Sequence, residues 1–164
     1  MDLVQLAVLI SALLCSLVAG TVLSFAIIVM PGIRTLGTHD FIVSFKAMDR
    51  IIQNNHPLFM LVWLGSAVAL LFSALLGFWR LEGLDLGLLS LACAIYLLGV
   101  HLPTIAINIP LNNRLQSLDL DETADSELRA IAASFESRWM RWNAIRTVIS
   151  MLTTLILLVL LLRI

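Results

Sequence analysis

Residues 3–30 read LVQLAVLISALLCSLVAGTVLSFAIIVM, a run of 28 positions without a single charge. A helix needs about 20 apolar residues to cross a bilayer, so this run crosses with length to spare. It is too long, and too poor in preceding Lys or Arg, to read as a cleaved secretory signal. Working outward, three more apolar runs follow, and the spans fall at about 3–30, 58–79, 86–109 and 143–162. The chain is 60% hydrophobic and 13% charged, where soluble domains are about 45–50% apolar and about 25% charged. The expected fold is all-α: a four-transmembrane-helix bundle, one domain over 1–164, with a lipid bilayer as its first partner.

The joints between the spans add detail. Met30-Pro31-Gly32 is expected to end the first span. In loop one, Thr38 is a candidate N-cap for a helix over 39–53, with Phe41, Phe45, Met48 and Ile52 on one side and Lys46, Asp49 and Arg50 elsewhere. That pattern predicts an amphipathic helix lying at the membrane interface. Asn54-Asn55-His56-Pro57 turns the chain into span two. Residues 80–85 are a short link, so spans two and three form an antiparallel hairpin. Pro103 is expected to kink span three and Pro110 to end or bend it. From Ser126 nothing breaks the helical pattern before Arg163. The fourth helix is therefore a rod of roughly 57 Å at 1.5 Å per residue, its first half extending beyond the membrane.

Small residues recur every four positions at Ala12, Ser16, Gly20 and Ser24, and again at Gly65, Ala69, Ser73 and Gly77. Such stripes let helix backbones approach, and they predict face-to-face packing of spans one and two. Arg80 and Arg163 flank one side of the bundle. Arg34, Lys46, Arg50, Arg114, Arg129, Arg138, Arg141 and Arg146 flank the other, eight of the ten basic residues. The positive-inside rule places loops one and three in the cytoplasm. The expected location is a bacterial inner membrane.

Composition excludes several functions. A net charge of −1 offers nucleic acid no broad attraction, so no nucleic-acid partner is expected. Cys15 and Cys93 lie mid-span as small apolar residues, without the spacing of a metal site, and no metal or cofactor is expected. No Asp or Glu lies within a span, which argues against a proton-coupled transporter.

Two polar clusters interrupt this apolar background. His101, Thr104 and Asn108 are spaced i, i+3, i+7, and Trp139, Trp142, Asn143 and Arg146 are spaced i, i+3, i+4, i+7, so each set lines one helix face. Polar faces at membrane depth are costly unless they meet each other, water or a ligand. The expectation is one pocket, with Asn108 or Asn112 in hydrogen-bond reach of Asn143 or Arg146, directly or through one water. The competing account has the asparagines capping helix ends, Arg146 snorkelling and the tryptophans forming an interfacial belt.

The run Thr104-x-x-x-Asn108-Ile109-Pro110-Leu111-Asn112, followed by Trp139-x-x-Trp142-Asn143-x-x-Arg146, resembles the DUF1772 or anthrone oxygenase family, with Ile109 in place of its Val. Met30-Pro31 and Asn55 are similar too. The resemblance implies a four-helix membrane protein. For members in polyketide pathways it implies oxidation of an anthrone to an anthraquinone without a cofactor. A flat aromatic small molecule would then be the substrate. His101 or His56 would be the base, because histidine alone titrates near neutrality unperturbed. Arg146, Asn108 and Asn143 would stabilise the oxyanion, and Trp139 and Trp142 would stack on the ring. Asn55, Thr104 and Asn112 would complete the binding set. The alternative is a non-enzymatic membrane binding or assembly partner, docking through the extension of the fourth helix.

Overall fold

The computed structural model describes residues 1–164 and contains helices only. Four of them are long and apolar enough to cross a membrane: α1 (Leu3–Ile33), α3 (Pro57–Arg80), α4 (Gly83–Gln116) and α5 (Asp125–Arg163). A fifth, α2 (Thr38–Gln53), occupies loop one. The chain is an integral membrane protein with a helical-bundle fold.

Two helices continue past their prolines. α1 continues through Pro31 to Ile33, and α4 passes both Pro103 and Pro110 to reach Gln116. A proline ring clashes with the carbonyl four residues earlier in a regular α-helix. Here those carbonyls belong to Ile27, Gly99 and Ala106. Each lies inside a π-helical turn, at Phe25–Val29, Leu97–His101 and Thr104–Asn108 respectively. The wider turns absorb the clash, and turns of this kind recur at functional sites.

α1 packs on α3 and α5, and α4 packs on α5. The membrane core joins Val8, Cys15 and Val18 of α1 to Leu70, Leu89, Tyr96, Val100 and Leu157. Lipid tails compete with such contacts, so close approach and polar bonds carry the association. Ser11 and Ser73 hydroxyls meet at 2.9 Å between α1 and α3. The Tyr96 hydroxyl donates to Ser66 at 2.9 Å. Gly99 receives the Ile149 side chain so closely that a Cβ there would collide with it.

Spans one and two do pack together, but the stripe on α1 is displaced. Ala12 is buried, whereas Gly20 and Ser24 face outward, and a Cβ on Gly20 would touch nothing. A four-residue repeat drifts by about 40° per step on a 3.6-residue helix. The face that packs is instead Val4, Val8, Ser11, Cys15, Val18 and Val22.

α2 also differs from expectation. Gly37 is its N-cap, and Thr38 is its first residue. Its apolar side packs inward, on the protein. Phe41, Ile42 and Phe45 are buried against Leu128, Phe135 and Trp139 of the α5 extension and Leu115 of α4, forming a second core. Phe45 meets Phe135 edge-on at 4.7 Å and Trp139 at 5.7 Å, pairs worth about 0.5–1.5 kcal/mol each beyond area burial. α2 ends in a Schellman motif. The His56 amide donates to Ile51 O, the Asn55 amide donates to Ile52 O, and Asn55 holds φ at 56°. Pro57 then opens α3 at a position where its missing N–H costs nothing.

Candidate functional site

Between the membrane core and the second core lies a cavity of about 440 Å³, within the roughly 300–1,000 Å³ typical of small-molecule sites. All five helices contribute to its wall. α4 presents His101, Thr104, Asn108 and Asn112 along one face, and α5 presents Trp139, Asn143 and Arg146. The two polar clusters therefore line one space.

Arg146 is buried on α5. Its Nη1 donates to Thr104 Oγ1 at 2.9 Å and its Nη2 to Asn143 Oδ1 at 3.0 Å. Thr104 can accept because its own proton goes to Val100 O at 2.7 Å. Asn143 is fixed from its other end, where Nδ2 donates to Val22 O on α1 at 2.9 Å. The guanidinium carbon lies 5.7 Å from the centre of the Trp139 ring, a cation–π contact. No carboxylate forms an ion pair with Arg146, and its Nε has no partner. A buried cation without an anion is costly, and it leaves a full positive charge facing the cavity.

No direct bond joins Asn108 or Asn112 to Asn143 or Arg146; Thr104 bonds Arg146 instead. Asn108 is 2% exposed, and neither its Nδ2 nor its Oδ1 has a partner. Both a donor and an acceptor are thus unpaired on the cavity wall. Asn112 is committed elsewhere: its Oδ1 accepts from Trp139 Nε1 at 3.0 Å, and its Nδ2 donates to Asp49 Oδ1 at 2.7 Å.

Asp49 escaped the sequence reading. It is a buried carboxylate on the cavity wall, and it also accepts from Gln53 Nε2 at 2.6 Å and Gln116 Nε2 at 3.0 Å. Three amide donors and no cation surround it. The signal was present in the sequence: Asp49 lies only about 40° around the helix from Phe45, inside the roughly 100° stripe that a packed helix buries. A charge on that stripe marks a partner.

His101 sits deeper, its ring 4.8 Å from Trp63 and 5.1 Å from Tyr96, with Nε2 buried and unpaired. Trp63, Phe25 and Phe45 also line the cavity, and apolar periodicity alone gives no means of singling them out. Asn55 stands at the mouth. His56 and Trp142 do not line the cavity: His56 is exposed at the start of α3, and Trp142 faces away. No group of three or more His, Cys, Asp or Glu side chains converges as metal ligands would.

A family model described as anthrone oxygenase matches residues 48–156, a segment that holds Asp49, His101, Asn108, Asn143 and Arg146. No curated protein and no solved structure matches the chain.

Proposed function

Since the chain belongs to the anthrone oxygenase family, we propose that it is a cofactor-independent membrane oxygenase of a flat phenolic, polyketide-like substrate. One observation carries the reading. Arg146, buried and without a carboxylate, shares an aromatic-walled cavity with the unpaired Asn108. That is the equipment to stabilise an oxyanion in a water-poor site, where preorganised donors are worth most.

The chemistry balances with dioxygen as the only co-substrate. A base takes one proton from the acidic methylene beside the rings, and the electron pair becomes an enolate whose oxygen faces Arg146 and Asn108. The electron-rich carbon gives electrons to dioxygen and forms a peroxide at that position. Loss of the second C–H proton breaks the O–O bond, leaving a carbonyl and, with the first proton returned, water. His101 is the proposed base, and the Trp139 ring supports the substrate face. Loops one and three are proposed to be cytoplasmic, with eight of ten basic residues flanking them.

The rival reading as a docking partner would be favoured by exposed apolar side chains along 126–142. Every large exposed hydrophobic residue lies outside that segment. The deciding experiment is aerobic incubation of the purified protein with an anthrone, following oxygen uptake and quinone absorbance with and without chelator. Uptake no faster than spontaneous oxidation by protein-free micelles would end the proposal.

A further inference from the structure

The cavity is not closed on the side of the bilayer. α3 and α4 pack at their linked end, where a Cβ on Gly77 would fall 2.5 Å from Leu89 Cδ2. Toward the other end they diverge, and the cavity fills the wedge between the first half of α3 and the second half of α4. Leu64, Ile105 and Ile109 line it, yet they are 52%, 63% and 44% exposed. A residue that both lines a cavity and faces outward stands at its rim.

This rim lies within the apolar helices long enough to cross a membrane. Leu64 is seven residues into α3, about 10 Å from its start. Ile105, Ile109 and Asn113 follow one another at four-residue intervals on α4, and all three line the cavity. The opening is therefore a slot running along the helices. Its lower edge is apolar, and its upper edge carries Asn55 and Asn113, both exposed. Above it, α2 is tied down by Asp49 to Asn112 and Gln116.

We infer that ligands enter and leave this cavity sideways from the lipid, between Leu64 and Ile105. Molecules that partition into the acyl chains while keeping a polar group near the interface match the slot along its length, whereas a charged, water-soluble molecule meets an apolar lower rim. The route selects for neutral, lipid-dissolved ligands that ionise only once inside, beside Arg146. It goes beyond the proposed oxygenase reading and applies to any ligand of the cavity, so its test needs no turnover.

The test is cysteine labelling in lipid bilayers. Cys15 and Cys93, the native thiols, are replaced by Ala, and Asn108→Cys places one thiol inside the cavity. Met60→Cys on the opposite wall serves as a second reporter in case the first variant does not fold. Two maleimides of matched size are compared, one carrying a phenyl ring and one a sulfonated phenyl ring, each normalised to its rate with free cysteine. The phenyl reagent should react about tenfold faster or more, within the penalty that hydrocarbon places on a charge. Ile105→Trp at the rim should slow the phenyl reagent several-fold, and Asn113→Trp at the upper edge should not. Equal normalised rates, no labelling by either reagent, an unaffected rate in Ile105→Trp, or slowing by Asn113→Trp alone would each overturn the lateral route. A failed anthrone assay with the labelling pattern intact would remove the oxygenase reading and leave the route standing.

Discussion

Arg146 Nη1 donates to the Thr104 hydroxyl across 2.9 Å, and this bond joins the polar face of α5 to that of α4 at a π turn. The pairing needs a donor that reaches two acceptors at once, because Asn143 takes the neighbouring Nη2 at 3.0 Å. A planar guanidinium meets both, whereas an ammonium is a point charge on a flexible stem.

Arg146→Lys should therefore keep the charge and lose the geometry. Under the oxygenase reading, turnover of an anthrone should fall about 10²–10³-fold, the usual effect of removing an oxyanion donor. Arg146→Leu should insert and fold, since it lengthens the apolar run, and should be inactive. Steady-state rates in nanodiscs check both; a Lys variant within a few-fold of the parent would place the oxyanion elsewhere.

Asp49→Asn tests the second polar hub. The carboxylate accepts from Gln53, Asn112 and Gln116. An amide keeps one acceptor oxygen and turns a donor toward donors. Each buried donor left unsatisfied costs about 1–3 kcal/mol, so thermal unfolding in detergent should begin earlier. Because these bonds fasten α2 over the cavity, limited proteolysis should cut near Thr35–Gly37 faster in the variant. An unchanged melting profile and unchanged cleavage would remove Asp49 as the fastener.

Much of the fold was legible in the sequence because bilayer thickness sets a length rule that apolar runs obey directly. The long rod of α5 followed from the absence of any breaker between Ser126 and Arg163. Pro31 does not end its helix because a proline excludes regular α geometry, not a wider turn that moves the offending carbonyl aside. In the site, spacing brought Thr104, Asn108, Asn143 and Arg146 to one space. Trp142 and His56 lie off the cavity, since spacing assigns a residue to a face without fixing which neighbour that face meets. Asp49 is hidden from the pattern because an amphipathic face can meet lipid or protein alike, and here it packs on α4 and α5.

Glycine shows the same limit and yields a paired prediction. Gly99 holds the Ile149 side chain against its backbone, whereas Gly20 faces open space. Gly99→Val overpacks the α4–α5 contact and should cost about 1–3 kcal/mol. Gly20→Leu, on a face open to lipid, should leave stability unchanged. Melting curves of the two variants in one detergent decide the matter; equal stability would mean that α4 and α5 do not meet at Gly99.

Topology has its own check. With eight of ten basic residues around loops one and three, a reporter fused after Ile164 should read as external to the cytoplasm. A cytoplasmic signal would reverse the insertion and place the upper edge of the slot on the opposite face.

The two histidines offered as bases separate cleanly in space. His56 is exposed outside the cavity, and its replacement by Ala should leave turnover within about twofold, as for surface sites remote from the chemistry. His101 presents an unpaired Nε2 between Trp63 and Tyr96. His101→Phe preserves a ring of similar shape against both neighbours and removes the nitrogen, so the bundle should fold and melt as the parent does. If His101 carries the proton, turnover should fall about 10²–10⁴-fold, the range that general base catalysis contributes, while binding of a non-reactive anthraquinone weakens little. Loss of both binding and stability would instead mark His101 as a packing residue. Retained turnover in His101→Phe would transfer the role to the remaining proton acceptor on the wall, Asp49, and Asp49→Asn would then have to abolish the reaction.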